Sequence, residues 1–204
     1  MQDTALVVID LQNDFVEPTG SLSVKGAMDI IPKVNRIRSK FQNVLFTYDW
    51  HPKNHVSFVD SHPGHKVYDI VDAGSVKQML FPAHCVQNSK GAELQKDLIK
   101  KDGDMVVYKG TNEKIDSYSC FFDVIKSSQT NADQLLRSKG IKTLYILGVA
   151  TDFCVKFSAL DAVKLGYKVY LIEDCIAGVQ KESSIAALKE MKEQGITFVN
   201  SNIF

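Results

Sequence analysis

The chain has 204 residues, 45% hydrophobic and 24% charged, and its 24 basic side chains balance 24 acidic ones. That length suits one domain over 1–204 with a substantial core, and the balanced charge excludes the footprint of a nucleic-acid or polyanion binder. No apolar run is long enough to span a bilayer, a strand-like run already begins at residue 5, and the four cysteines are scattered without CxxC spacing, so a reducing, cytoplasmic setting away from membranes is expected.

In chain order, short apolar runs rich in β-branched residues predict strands at 5–10 (ALVVID), 43–49 (NVLFTYD), 104–110 (DMVVYKG), 143–149 (TLYILGV), 168–174 (KVYLIED) and 197–200 (TFVN). They are continuous rather than alternating, as strands covered on both faces are. Helical patterns lie between them at about 29–40, 90–100, 131–139, 152–165 and 180–194. Three of these stop at Gly140, Gly166 and Gly195, each with a lysine in the last turn, as left-handed C-caps do. This alternation predicts an α/β fold of three layers, α/β/α, around a mostly parallel six-stranded sheet. The segment 50–103 holds much loop before its helix, and loops of that length tend to carry function.

Ligands of an open parallel sheet bind beyond the carboxyl ends of its strands. The first strand ends on Asp10, the second on Asp49 and the third on Lys109, while the fourth leads through Gly148 to Cys154. Any one of these could be an ordinary surface or capping group; four at one sheet edge make a chemical constellation. Thr151 or Asp152 can cap the next helix, placing Cys154 in its first turn, where the dipole and a nearby cation favour a thiolate. Cys85, Cys120 and Cys175 read as small buried hydrophobes.

All five histidines fall between residues 51 and 84. Asp49 and His51 are two apart at a strand end and so can share a side, and His84 follows Pro82 in a stiffened FPAHCV. One carboxylate and two imidazoles with positions left open form the pattern of a catalytic metal site, suiting Zn²⁺, Fe²⁺ or Mn²⁺. His62 and His65 fit a histidine-rich loop; His55 and Asp60 are either further ligands or partners of ligands.

The stretches VIDLQNDF, DWHPKNHVSF, FPAHCVQ, YKGTNEKIDSYSCFFD and GVATDFCV together resemble the nicotinamidase family of the isochorismatase-like cysteine hydrolase superfamily, in the family's order and over nearly the whole chain. The resemblance implies the isochorismatase-like hydrolase fold and hydrolysis of nicotinamide to nicotinate and ammonia, a step of NAD salvage. It implies a catalytic triad of Asp10, Lys109 and Cys154, one divalent metal ion, zinc foremost, on Asp49, His51 and His84, and a cis peptide at Val149–Ala150. It also implies that the pyridine nitrogen binds the metal, with Phe15, Phe81, Tyr118 and Phe153 placed to wall the ring.

The chemistry is that of an activated thiol. Asp10 takes the Cys154 proton and later returns it to ammonia, Lys109 balances charge and lowers the thiol pKa, and the backbone N–H groups of Ala150 and Cys154 form an oxyanion hole. Phe81, Ala83 and Ser89 depart from the family's common Trp, Val and Thr, as mild changes to the wall. Isochorismatases lack the cysteine, and ureido-type cysteine amidohydrolases lack the metal motif. A catalytically inactive metal-binding module is the rival from another class, and a thiol-redox protein lacks a resolving cysteine near Cys154. Homo-oligomerisation is left open.

Overall fold

The computed structural model describes residues 3–74 and 76–204. Its organising strand is β1 (Thr4–Ile9), every residue of which is buried. Alternate side chains of a strand point to opposite faces, and here both faces are covered. Ala5, Val7 and Ile9 share one core with Leu136, Ala159 and Met191, whereas Leu6 and Val8 share the other with Ile30, Ile31, Val34 and Ile37. A strand buried on both sides has no place for polar alternation, so ALVVI is continuous.

The other elements follow as α1 (Asn13–Val16), α2 (Ala27–Arg38), β2 (Asn43–Asp49), β3 (Ile70–Ala73), β4 (Val76–Met79), β5 (Met105–Lys109), α3 (Ala132–Ser138), β6 (Thr143–Val149), α4 (Lys156–Lys164), β7 (Lys168–Ala177), α5 (Lys181–Glu193) and β8 (Thr197–Val199). The main sheet has the order β5-β2-β1-β6-β7-β8, and every pair in it is parallel. The chain leaves β1 on one side for β2 and β5 and returns on the other for β6. That reversal is a topological switch point, where a crevice opens beyond the strand ends. Two layers of helices, α2 against one face and α3, α4 and α5 against the other, cover it as the sequence predicts.

The three glycine stops behave as read. Gly140, Gly166 and Gly195 have φ of 68°, 88° and 83°. After each, the next residue donates back across the cap, Ile141 to Leu136, Tyr167 to Ala162 and Ile196 to Met191, satisfying carbonyls that the helix end would leave open.

One expectation fails, and one element was not predicted. The pattern at 90–100 is no helix beyond one tight turn, Lys90–Ala92. Its backbone is claimed by the loop after β1: Gln95 N donates to Leu11 O at 2.9 Å, and Glu93 O accepts from Asn13 N at 2.8 Å. Partners outside the segment replace the i→i−4 ladder, and helical propensity is too weak to compete. The antiparallel hairpin β3–β4 inside the long loop had no strong alternation to announce it. Among the described residues no helix is long and apolar enough to cross a membrane.

Gly148 sets a tight constraint between the two central strands. Its φ is +118°, and an added Cβ would stand 2.1 Å from Ile9 O in β1. Gly148→Ala is expected to destabilise the fold by roughly 3–5 kcal/mol, summing backbone strain and overpacking. Urea unfolding checks this, and an unshifted midpoint contradicts the clash.

Candidate active site

The strand ends bring a buried ammonium among two carboxylates and a thiol. Lys109 Nζ, on a side chain fully removed from solvent, lies 2.9 Å from Asp10 Oδ2 and 3.0 Å from Asp49 Oδ1. It also reaches Cys154 Sγ at 3.3 Å and Ser117 O at 3.2 Å. Asp10 takes a left-handed φ of 49° just past β1. Its N–H donates to Thr47 Oγ1, whose hydroxyl donates back to Asp10 Oδ1. Asp10 Oδ2 faces the ammonium, and Asp10, Asp49 and Cys154 each present a ligand atom within 4.8 Å of the others. Asp10 is thus a carboxylate within hydrogen-bonding reach of the Cys154 thiol.

Burial governs the charges here. It pushes Asp10 above the usual carboxylate range, the Lys109 charge opposing and Asp49 adding to it. It disfavours charge on Lys109 too, but Asp10 and Asp49 outweigh it and hold the ammonium. For Cys154, burial dominates and Lys109 only partly offsets it, so the thiol rises well above its ordinary pKa. Desolvation and two nearby carboxylates thus work against the thiolate that the helix start and Lys109 favour.

The local reason for the placement of Cys154 also differs from the expected cap. After β6 the chain passes a cis Val149–Ala150 peptide and then a wide turn, Thr151–Val155, before α4. Val155 N donates five residues back to Ala150 O. Neither Thr151 nor Asp152 caps this turn. Asp152 accepts instead from Val179 N at 3.0 Å, Gln180 N at 3.1 Å and Ser183 Oγ. It anchors the entry to α5, beyond α4 and β7 in the chain, because that helix start offers three donors to one buried carboxylate.

Beside the thiol, Asp49, His51 and His84 bring ligand atoms within 4.8 Å of one another, all buried. The tautomers follow from the neighbours. His51 Nδ1 is 2.9 Å from Gly110 O and His84 Nδ1 is 2.7 Å from Pro82 O. A carbonyl only accepts, so each Nδ1 carries a proton and Nε2 is left as the nitrogen that can ligate a metal. Those Nε2 atoms lie 3.0 and 3.6 Å from Asp49 Oδ2. Burial opposes charge on His51, but the Asp49 carboxylate outweighs it and raises the His51 pKa, so a proton can bridge this contact; two nitrogens with one oxygen equally suit a divalent metal.

Two residues that the sequence reading left unassigned brace this group. Gln12 clamps the Asp49 main chain from both sides, donating to its O at 2.7 Å and accepting from its N at 2.8 Å. Asp14 Oδ2 accepts from Cys85 N at 2.7 Å and so fixes the loop that carries His84. Both stand in VIDLQNDF, where only Asp10 and Phe15 had a visible role.

The site opens on a small cavity of about 30 Å³ lined by Phe15, Phe81, Tyr118 and Phe153, the four aromatics expected, together with Asp49, His51, His84, Ala150 and Cys154. Leu22, Val24, Asp116 and Val179 line it too. Asp116 lay within a quoted motif; the three aliphatics gave no signal, since a loop valine reads as ordinary core. Of the family departures only Phe81 reaches the cavity, and Ser89 instead accepts from Ala92 N in the Lys90–Ala92 turn. Asp60 is exposed on a separate short turn and joins no ligand group. His62 bonds Val56 O at 2.8 Å and His65 pairs with Asp69, the loop roles expected. His55 is buried beside His51, and burial, aided by His51, lowers it to about 4.

Compared with known proteins, residues 4–202 match the isochorismatase domain. The chain is 39% identical to the nicotinamidase of Acinetobacter baylyi, over 97% of this chain and 92% of that one. It is 41% identical to the Escherichia coli nicotinamidase, over 97% and 94%. Its fold superimposes on an Acinetobacter baumanii nicotinamidase/pyrazinamidase with a TM-score of 0.96 at 40% identity, covering 100% and 98% of the two chains. An L. infantum protein in complex with nicotinate gives 0.87 at 36%, over 98% and 94%. A Pyrococcus horikoshii pyrazinamidase in complex with zinc gives 0.81 at 37%, over 97% and 99%.

Removing the Gln12 clamp tests how the metal group is held. Gln12→Ala strips Asp49 N–H and O of their amide partners and is expected to cost about 2–4 kcal/mol of stability. It should also weaken metal binding, with no ligand altered. Denaturant unfolding and metal titration check this; unchanged values in both would show that Asp49 is held by other means.

Proposed function

The chain belongs to the isochorismatase family, and from that premise we propose that it hydrolyses nicotinamide to nicotinate and ammonia, as a metal-dependent cysteine amidohydrolase of NAD salvage in the cytoplasm. The observation that carries this reading is the juxtaposition of the Lys109–Asp10–Cys154 cluster with three convergent metal-type ligand atoms at one aromatic-walled cavity. The first suits attack on an amide, and the second suits capture of a basic ring nitrogen.

An amide carbonyl is a poor electrophile, and burial opposes charge on the thiol, so proton removal accompanies attack. As Sγ bonds the carbonyl carbon, Asp10 Oδ2 takes the Cys154 proton; the raised pKa of Asp10 suits a base that must also serve as an acid. Lys109 stays an ammonium throughout and offsets the negative charge that moves between sulfur, carboxylate and substrate. The carbonyl oxygen becomes an oxyanion, to which the backbone N–H groups of Ala150 and Cys154 donate, each worth about 3 kcal/mol. On collapse the C–N bond breaks, Asp10 gives its proton to the departing nitrogen, and ammonia leaves a thioester on Cys154. Water, deprotonated by Asp10, then attacks the thioester carbon, the C–S bond breaks, and the sulfur regains its proton as nicotinate forms.

Asp49 Oδ2 and the Nε2 atoms of His51 and His84 would hold one divalent metal ion, zinc first and iron or manganese next. When bound, that ion supplies an electrophile for the pyridine nitrogen. Phe15, Phe81, Tyr118 and Phe153 enclose the ring, with Phe153 standing 5.4 Å from Tyr118 and 5.5 Å from Phe81 between ring centroids. Such packing orients the amide over the thiol, the larger part of what a positioned nucleophile gains.

Ammonia release from nicotinamide by the purified protein tests the reading. Chelation should abolish it and added metal should restore it, while Cys154→Ala should lower kcat by at least about 10³-fold without loss of thermal stability. Release that survives chelation would remove the metal from the reaction, and substantial turnover by Cys154→Ala would remove the thioester. No release by the wild type would point to another amide or ureido substrate or to an inactive metal-binding module.

A further inference from the structure

Three histidines meet beside the cavity, and their hydrogen bonds sort them into two kinds. His51 and His84 give Nδ1–H to carbonyls and turn Nε2 inward. His55 is the reverse. The Ser57 backbone N–H, which can only donate, points at His55 Nδ1 from 3.3 Å, and Ser57 Oγ lies 2.7 Å from the same nitrogen. Nδ1 is therefore the acceptor, and the ring proton sits on Nε2. That Nε2–H is buried and has no hydrogen-bond partner, in a residue fully removed from solvent.

The orphaned donor is not remote from the site. The His55 ring lies over that of His51, centroids 4.0 Å apart at 30°. Ligand atoms of His51, His55 and Asp116 fall within 4.8 Å of one another. Asp116 is buried, with Oδ1 accepting from Ser117 N at 2.7 Å and Oδ2 from Gln78 Nε2 at 3.0 Å. A carboxylate oxygen keeps further acceptor capacity beyond one such bond. So the flank of the metal group offers one committed donor and one committed acceptor, both dry. A nitrogen that carries its proton cannot ligate a metal, which sets His55 apart from its two neighbours.

We infer that His55 and Asp116 hold one water molecule against the metal group, the Nε2–H of His55 donating to its oxygen and the carboxylate of Asp116 accepting one of its hydrogens. The remaining lone pair of that water faces the ion that Asp49, His51 and His84 would hold, filling one of the positions that three protein ligands leave open. The inference rests on the metal reading above. It makes His55 a positioning residue rather than a ligand, and gives Asp116 a role in place of mere lining. Buried waters of this kind make about three hydrogen bonds to groups otherwise unsatisfied.

The test uses zinc as the probe and does not depend on turnover. Zinc affinity is measured by competition with a chromophoric chelator on the wild type, His55→Phe, His55→Gln and Asp116→Asn, and X-ray absorption counts the imidazoles on the bound zinc. Loss of the donor or of the acceptor is expected to weaken zinc about 10–100-fold, the usual effect of a partner of ligands. His55→Gln, whose amide can still donate, should recover part of the loss. The imidazole count should stay at two in every variant. Unchanged affinity in both His55→Phe and Asp116→Asn overturns the inference, and so does a wild-type count of three imidazoles falling to two in His55→Phe, which would make His55 a ligand. Should His55→Phe fail to fold, Asp116→Asn and His55→Gln carry the comparison. A wild type that binds no zinc refutes the metal reading itself, an outcome distinct from intact binding that ignores both residues.

Discussion

The ammonium of Lys109 is the point on which this site hangs. A lysine so thoroughly desolvated persists as a charge only if anions surround it, and removing one partner of a buried pair typically costs about 3–5 kcal/mol. Asp10 and Asp49 meet that demand at 2.9 and 3.0 Å, and each comes from a different strand. The pairing therefore does two things at once. It holds the ends of β1, β2 and β5 in register, and it places a fixed positive charge 3.3 Å from the sulfur of Cys154. A site whose charges are also its struts cannot loosen without losing both.

Around that core, regular structure sets coarse positions and single side chains set fine ones. The parallel strands deliver Asp10, Asp49 and Lys109 to one edge, but the segments between them are irregular and need their own anchors. Gln12 holds the Asp49 backbone, Asp14 holds the loop bearing His84, and Asp152 holds the loop bearing Val179. In each case a buried polar side chain replaces the hydrogen bonds that helix or sheet would otherwise supply. Gly110 serves the same end by what it lacks: a Cβ there would stand 2.4 Å from the His51 ring, and without one the ring can approach the carbonyl that selects its tautomer.

The electrostatics of the site are those of two coupled halves sharing Asp49. One of its oxygens serves Lys109 and the other faces the Nε2 atoms of two histidines. Any cation held on the histidine side thus bears on the charge balance of the thiol side through a single carboxylate. This arrangement also sets the forces on the thiol of Cys154. Two carboxylates crowd Cys154 in a dry environment, and one ammonium cannot outweigh them.

Much of this was legible in the amino-acid order alone. Continuous apolar runs alternating with helical periods specify a doubly covered parallel sheet, since no other arrangement buries both faces of every strand. The strand-end rule then collects Asp10, Asp49, Lys109 and Cys154, because the carboxyl edge of such a sheet is where side chains converge. What the sequence by itself could not decide was everything that depends on a partner far along the chain. The stretch 90–100 has helical periodicity, yet it gives its backbone bonds to residues 11 and 13. Asp152 sits where a cap for its own turn belongs, yet it serves a helix start near residue 180. Gln12, Asp14 and Asp116 look like ordinary polar residues until the fold shows which groups they meet. The protonation of Cys154 and the opposite tautomers of His51 and His55 are likewise set by burial and by a neighbour's single hydrogen bond. Local pattern determines which elements form and which edge gathers the chemistry. Tertiary contact alone decides the direction of each hydrogen bond and the charge of each group, because desolvation and pairing exist only once the chain has closed around them.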